Sequence, residues 1–171
     1  MIDKKAFFRF SYGVYLVGSG FGGKMNVMTA NAVFQVTSKE PKVVVSVNKE
    51  NLTHEFIDKG GWFSASVLRK DAPVDFIQGF GFRSGRRIDK LRIGTRHEVR
   101  EGVPVVLDHC AAYVVAKVIN QVDIGTHTLF IGLVQEARLL DGGELVYSDY
   151  RNEKGATPKT APTYNREGED K

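Results

Sequence analysis

The residues that decide the fold run from position 26 to position 36 and read NVMTANAVFQV. They begin with small and polar side chains and end with alternating apolar ones, which predicts one β-strand with a polar entrance. After a turn, the run VVVSVN at 43–48 predicts a second strand. A helix is expected to start at Asn51, a suitable N-cap, and to end at the glycine pair 60–61. Because free N–H groups at a helix N-terminus suit a phosphate, the polar strand ends and this helix predict a site for an anion and a ring.

Outside this region, the sequence predicts further short strands separated by turns. Alternating or β-branched runs predict strands at residues 12–18, 62–68, 98–106 (broken by a turn), 111–122 and 125–140. A glycine-rich hairpin turn is expected at residues 19–24, and residues 144–147 are expected to pair back after a turn at 141–143. About seven strands indicate an antiparallel sheet, and a barrel is expected because closure removes exposed edges.

Three short helices are predicted, at residues 3–10, 51–60 and 73–80. In the first, Asp3 is the expected cap, and Phe7, Phe8 and Phe10 are expected to cover the core. The third has a proline at an early helix position, where the missing N–H has no cost. The basic segment at residues 83–92 is either a solvated loop or part of an anion site.

Composition is that of an ordinary folded domain. The 171 residues fit one domain, and 42% hydrophobic with 26% charged residues is typical of globular proteins. No apolar run approaches the ~20 residues that span a bilayer, and no signal-peptide pattern is present, so no membrane contact is expected. The single cysteine, Cys110, excludes an internal disulfide and fits the cytoplasm. The net charge of +4 suits an anionic ligand, but nucleic acid is disfavoured because residues 83–92 contain no aromatic side chain.

The sequence is poor in catalytic groups of its own. It has no GxSxG nucleophile motif, and its four histidines show no metal-ligand spacing. Cys110 is expected to be a packed thiol, because no neighbouring cation would lower its pKa. Either the chain is a binding module, or a bound cofactor carries the chemistry.

Four motifs resemble, in order, those of the flavin reductase-like, FMN-binding split-barrel family. They are NVMTAN at 26–31 with QVTS at 35–38 and Pro41, VSVNK at 45–49 with Thr53, FSASVL at 63–68, and GTHTLFIGLV at 125–134. Residues 157–164, TPKTAPTY, resemble the C-terminal arm of the subgroup that contains flavoredoxin and the flavoprotein part of high-molecular-weight rubredoxins. The resemblance implies a six-stranded split barrel, a homodimer and noncovalent FMN. The expected fold is thus mainly β, with six to seven antiparallel strands, Greek-key connections and a few short helices.

The resemblance also implies which residues bind FMN. Those expected to line the isoalloxazine ring and ribityl chain are Met28, Thr29 and Ala30, with Asn26 nearby. Those expected on the ribityl-phosphate side are Ser46, Val47, Asn48, Lys49 and Thr53. Ser84, Gly85 and Lys90 match the loop that closes over the phosphate. His127 would lie close to the flavin or the nicotinamide and is the candidate catalytic residue.

Two departures from the family pattern leave the electron donor and substrate open. Thr126 stands where an acidic residue is commoner, and Ala65 and Ser66 replace a valine and an asparagine. Rubredoxin cysteines are absent from the sequence, so an iron centre would lie on another protein, a rubredoxin-like redox partner.

The sequence divides into a split-barrel domain at residues 1–150 and an extended arm at residues 151–171, which is expected to pack on a partner subunit. The arm lacks periodicity and contains Pro158 and Pro162. Three functions are considered: an FMN oxidoreductase that takes hydride from NAD(P)H and passes electrons to flavin, ferric iron or a redox protein; an electron carrier with little NAD(P)H turnover; and a dimeric module that binds another anionic ligand.

Overall fold

The structure is a computed structural model, and it describes residues 1–153 and 155–164. The described residues form nine strands, three α-helices and two 3-10 helices. The strands are β1 (Tyr15–Phe21), β2 (Lys24–Ala30), β3 (Val33–Thr37), β4 (Lys42–Asn48), β5 (Trp62–Leu68), β6 (His97–Arg100), β7 (Val103–Val106), β8 (Cys110–Asp123) and β9 (His127–Leu139). The helices are α1 (Leu52–Gly60), α2 (Val74–Gly81) and α3 (Tyr147–Asn152), with 3-10 helices at Lys4–Arg9 and Lys90–Ile93.

Seven of the described strands form one antiparallel sheet in the order β2-β1-β5-β8-β9-β4-β3. Its edge strands, β2 and β3, are consecutive in the chain and are joined only by Asn31 and Ala32. The sheet therefore curls until its two edges approach each other, which confirms the predicted antiparallel split barrel. β6 and β7 form a separate small hairpin, as the turn predicted within residues 98–106 indicates.

Residues 26–36 do not form the single strand that was predicted. β2 ends at Ala30 and pairs with β1, whereas β3 starts at Val33 and pairs with β4. The chain changes partner at Asn31 and Ala32, because the closed sheet requires it to pass from one edge to the other. Local alternation carries no information about that change, since both halves of the segment are extended.

The predicted hairpin between the first two strands is confirmed, although its turn is tighter than expected. Only Gly22 and Gly23 separate β1 from β2, with φ values of 59° and 75°. Positive φ at both central residues is typical of a type I′ turn, whose twist matches that of the flanking strands. Glycine adopts positive φ without steric cost.

The barrel interior is filled by residues that alternate inward along the strands. Phe63 and Phe130 are fully buried, and Ile57 from α1 joins the same cluster. Gly132 provides space for the ring of Phe63, because a Cβ at that position would lie 2.7 Å from the ring atom Cε1. The predictions of β4, β5, α1 and α2 are confirmed within one or two residues, although Asn51 makes no side-chain capping bond.

A second apolar cluster lies under α2 and contains Ile77, Phe80 and Cys110. The Cys110 thiol is 3% exposed and donates to the carbonyl oxygen of Asp108 over 3.2 Å. Burial raises the pKa of this thiol to about 12. The prediction of a packed thiol is confirmed.

The expectation that the N-terminal helix covers the core is wrong. Lys4–Arg9 is a 3-10 helix with no buried residue, and the three phenylalanines are 50%, 38% and 63% exposed (Phe7, Phe8 and Phe10, respectively). Asp3 caps the helix as predicted, since its carboxylate accepts from the N–H of Lys5 over 2.9 Å. The core does not need this helix, because residues of the strands, α1 and α2 already fill it.

Residues 144–147 do not pair back onto β9, contrary to the prediction. The N–H of Leu145 donates to the carbonyl oxygen of Leu68, and its own carbonyl accepts from the N–H of Val14. The segment thus caps the adjoining ends of β1 and β5, where the N–H of Leu68 also donates to the carbonyl oxygen of Val14, and α3 begins at Tyr147. Within the described residues, no helix is long and apolar enough to cross a bilayer.

Candidate functional site

A cavity of about 560 Å³ lies between the end of β2, α2, the loop after α2 and the C-terminal arm. This volume falls within the ~300–1,000 Å³ typical of small-molecule sites. Eight of the predicted binding residues line it: Asn26, Met28, Thr29, Ala30, Ser46, Ser84, Gly85 and Lys90. The fold therefore brings together three segments that are distant in sequence, as the resemblance implied.

Five other predicted site residues lie outside the cavity lining. Val47 is fully buried in the barrel core, and the side chain of Asn48 accepts from the N–H of Glu50. Lys49 forms an ion pair with Asp123 over 2.7 Å. Thr53 and His127, the other two, each contact a group that lines the cavity.

Asn26 is held in place from two sides. Its side-chain amide, 4% exposed, donates to the hydroxyl of Thr53 over 2.9 Å. On the other side, a Cβ at Gly85 would lie 2.1 Å from the Oδ1 of Asn26. The loop after α2 can approach the strand this closely only because residue 85 lacks a side chain.

Two side chains tie β2 to α2 and to the loop after it. The hydroxyl of Thr29 donates to the carbonyl oxygen of Ile77 over 2.7 Å, so this hydroxyl is already engaged. Lys90 is 4% exposed, and its Nζ donates to the carbonyl oxygens of Val27 and Phe80 over 3.0 and 2.8 Å. Burial lowers the pKa of Lys90 to about 8. None of the described carboxylates pairs with this lysine, so a buried cation faces the cavity with donor capacity left.

The outer edge of β2 also offers backbone donors. In an antiparallel strand, the N–H and C=O groups of alternate residues point to the same edge. The carbonyl of Val27 faces Lys90, so the N–H of Thr29 faces the same edge, where the sheet provides no further strand.

Asn31 is a lining residue that the sequence interpretation did not select as a binding residue. It is 6% exposed, and its Nδ2 donates to the hydroxyl of Thr163 over 2.5 Å. Its Oδ1 is buried without a hydrogen-bond partner among the described residues. A buried unpaired acceptor at a cavity wall is costly unless a ligand satisfies it. The sequence signal was its position directly after Ala30, at the end of the polar stretch.

The arm closes one side of the cavity with residues 156–162 and Tyr164. The hydroxyl of Tyr147 shares a hydrogen bond with that of Thr157, and the hydroxyl of Tyr150 donates to the carbonyl oxygen of Ala156 over 3.0 Å. His127 contacts the carbonyl oxygen of Thr160 through Nε2 over 3.1 Å. Because a carbonyl only accepts, Nε2 carries the proton. His127 thus holds the arm instead of lining the cavity.

The cavity wall carries more positive than negative charge. Arg83 and Lys159 line it and form no ion pair within the described part of the chain, and Glu50 is the acidic lining residue there. With Lys90, three cations face one carboxylate, so the electrostatic potential favours an anionic ligand.

The sequence profile of the flavin reductase-like domain matches residues 7–156, most of the chain. The chain belongs to the flavin reductase-like domain family. It is an oxidoreductase of the flavin reductase type, and its departures from the family pattern at Ala65 and Ser66 are buried in β5, away from the cavity lining.

Two relatives are similar over nearly the whole chain. A high-molecular-weight rubredoxin of Moorella thermoacetica is 45% identical over 95% of this chain and 72% of its own length. A ferric-chelate reductase (NAD(P)H) of Archaeoglobus fulgidus is 42% identical over 95% of this chain and 98% of its own. Among solved structures, flavoredoxin from Methanosarcina acetivorans superposes with a TM-score of 0.70 at 25% identity, over 80% of this chain and 76% of its own.

The residues of the cavity fit a flavin. The unpartnered Oδ1 of Asn31 can accept from a ring N–H, and the open edge of β2 can donate to a ring oxygen or nitrogen. The cations can receive the phosphate and any negative charge on the ring. This donor and acceptor set matches a planar ring that carries both kinds of group together with an anionic tail.

Proposed function

We propose that the chain binds FMN noncovalently in the cavity and is an NAD(P)H-dependent reductase. The observation that carries the proposal is a ring-sized cavity at the open edge of β2, with a buried cation, Lys90, in its wall. When bound, FMN accepts hydride from a reduced nicotinamide and releases electrons to an acceptor.

The protein's own residues bind and orient. The N–H of Thr29 and the ammonium of Lys90 stabilise negative charge on the ring, because preorganised donors act strongly where water is excluded. Ser84 and Arg83 receive the phosphate in the loop after α2. The arm limits access of water, and His127 fixes the arm by holding Thr160.

A spectrum of the purified protein tests this proposal. Flavin absorbance in the visible region, restored by added FMN after cofactor removal and bleached anaerobically by NADH or NADPH, is the expected result. Protein that is colourless and does not bind added FMN contradicts it.

The electron acceptor is proposed from the relatives. The ferric-chelate reductase of Archaeoglobus fulgidus supports ferric iron, and the high-molecular-weight rubredoxin supports a rubredoxin-like redox protein. Steady-state rates with ferric chelate, free flavin and a rubredoxin, each with the same donor, rank the three. Equal and negligible rates with all of them count against these acceptors.

A second candidate function is an electron carrier with little NAD(P)H turnover. The similarity to flavoredoxin and to a rubredoxin supports it. Stopped-flow reduction separates the two: bleaching within seconds by one nicotinamide supports the reductase, whereas slow bleaching by both supports the carrier.

We also propose a homodimer. Apolar side chains remain about half-exposed on β3 and near the turn that joins β8 to β9. They are Phe34, Val36, Ile119, Val122 and Ile124. Such a patch favours burial against a second copy. Sedimentation should give twice the 19.0 kDa chain mass, and a monomer would contradict the proposal.

The packing of the arm on a partner subunit stays a prediction. The described residues of the arm contact Asn31 and His127 of their own chain. The remainder of the arm lies outside the described residues. Truncation after Tyr150 that leaves dimer mass and flavin affinity unchanged would count against a role for the arm in either. The cytoplasmic location also stays a prediction, supported by the single cysteine, and recovery of the protein from an exported fraction would oppose it.

A further inference from the structure

A second cavity, of about 340 Å³, lies outside the proposed flavin site. It is formed by the 3-10 helix Lys4–Arg9 and the residue after it, α3, and the arm. Five aromatic side chains line it: Phe7, Phe8, Phe10, Tyr12 and Tyr147. Its volume is within the range of small-molecule sites and is too small for a folded partner element.

Three rings of this aromatic cavity, those of Phe7, Phe8 and Phe10, are partly exposed. The rings of Phe7 and Phe10 are tilted by 38° to each other with their centroids 6.2 Å apart, and both residues are at least half-exposed. The guanidinium of Arg151 lies 4.2 Å from the ring centroid of Phe8 and adds positive charge to the lining. Phe7 and Phe8 lie on a six-residue helix that buries nothing, and Phe10 follows it, so the three phenylalanines have no role in the core.

The aromatic cavity adjoins the flavin cavity and shares part of its wall. Tyr147 and Pro162 line both of them. Lys159, three residues before Pro162, lines the flavin cavity and has no ion-pair partner in the part of the chain that the structure describes. Lys159 therefore places a cation on the arm, close in sequence to the wall that the two cavities share.

We propose that the aromatic cavity binds the adenine ring of a dinucleotide whose other end occupies the flavin cavity. A purine is planar and has a π-face that stacks on aromatic rings and on guanidinium groups. The pyrophosphate that joins the two halves of the dinucleotide is an anion and suits Lys159. This ligand chemistry has two sources, NAD(P)H and FAD. The inference rests on the proposed function, because that function supplies the site for the other end.

The test combines direct binding with paired ligands that differ only by the adenosine part. ADP is titrated by calorimetry, NADH is compared with reduced nicotinamide mononucleotide as donor, and FAD is compared with FMN as cofactor. The variant is Phe8→Leu, which removes the ring and keeps an apolar side chain. The matched control is Phe21→Leu, at an exposed phenylalanine that lines neither described cavity.

In the Phe8→Leu variant, ADP affinity is expected to fall about threefold to tenfold, with the control unchanged. If the variant lowers kcat/KM for NADH more than for reduced nicotinamide mononucleotide, the site belongs to the electron donor. If it lowers the affinity for FAD more than for FMN, the site belongs to FAD. If all three quantities are unchanged in both Phe8→Leu and a second variant, Phe10→Leu, the inference is overturned. If ADP binds but FMN does not, the proposed function fails while the aromatic site stands.

Discussion

The amide of Asn26 donates to the hydroxyl of Thr53 over 2.9 Å, and both side chains are buried. This contact ties β2 to the first turn of α1 at the base of the candidate flavin cavity. Thr53 was predicted to lie on the ribityl-phosphate side of the flavin, and in the structure its hydroxyl accepts from the amide of Asn26. Gly85 lies against the opposite side of the same amide.

The Thr53→Val variant should lose both stability and flavin affinity. It leaves the Nδ2 of Asn26 buried without its partner, which costs about 1–3 kcal/mol of unfolding free energy. Urea denaturation and FMN fluorescence titration measure the two effects. The Thr53→Ser control keeps the hydroxyl and should retain most of the affinity; equal losses in both variants would show that the hydrogen bond is not responsible.

Lys90 should make FMN binding depend on pH. Its ammonium is present below its folded-state pKa of about 8 and is lost as the pH rises through that value, so FMN affinity should fall above pH 8. In Lys90→Met this step should disappear and affinity should be low throughout. Lys24→Met, at an exposed lysine, is the control and should keep the step. A wild-type affinity that is flat between pH 7 and pH 9.5 contradicts a role for the charge.

The same lysine has an opposite effect on stability. Its folded-state pKa lies below the ~10.4 of an unfolded lysine, so between pH 8 and pH 10 the unfolded chain binds more protons. The contribution of Lys90 to the unfolding free energy should therefore rise with pH over this window. Urea denaturation at several pH values isolates this contribution when the unfolding free energy of Lys90→Met is subtracted from that of wild type, because all other groups are the same in both. The unfolding free energy of wild type minus that of Lys90→Met should rise over this window, and a value that falls would refute the assignment.

Replacing His127 should loosen the arm. His127→Ala removes the donor to the carbonyl oxygen of Thr160, a bond worth about 0.5–1.5 kcal/mol, so FMN release should become about twofold to tenfold faster. Limited proteolysis within residues 155–164 should accelerate in parallel. His97→Ala, on β6, is the control. If hydride transfer slows greatly while FMN release and proteolysis do not change, His127 acts on the chemistry and not on the arm.

Gly132→Ala should destabilise the barrel. The added Cβ would lie 2.7 Å from the ring of Phe63 and 2.7 Å from the Cβ of Ala116, both buried. Overpacking of this kind costs about 1–3 kcal/mol. Thermal unfolding measures the loss, and Gly143→Ala, where the Cβ meets no atom within 4 Å, should show almost none. Equal effects of the two substitutions would point to backbone flexibility as the cause.

The sequence predicted the elements that local patterns determine. β4, β5, α1 and α2 follow from short apolar runs, and the Gly22–Gly23 hairpin follows from turn chemistry. The break at Asn31 and the contacts of Leu145 with Val14 and Leu68 depend on which strands become neighbours after closure, and local periodicity does not encode this.

The candidate site was predictable only in part for the same reason. Residues on one strand and one loop were found by resemblance, and Met28, Ala30 and Ser84 lie in the cavity wall. The interaction of Lys90 with Val27 and the position of Asn31 beneath the arm are tertiary contacts between distant segments. The aromatic cavity was missed because its phenylalanines have the composition of a core helix, and only their exposure shows that they are not part of the core.

The contact between Asn31 and Thr163 joins residues 132 positions apart, so the segment that seals the cavity is synthesised long after β2. Every other wall of the cavity has been synthesised before the arm emerges. We expect that a nascent chain can take up flavin through an open side, and that the completed protein exchanges it slowly. Ribosome-bound chains stalled before residue 155 should then bind FMN faster than the released protein; equal rates would mean that the arm is no barrier to entry.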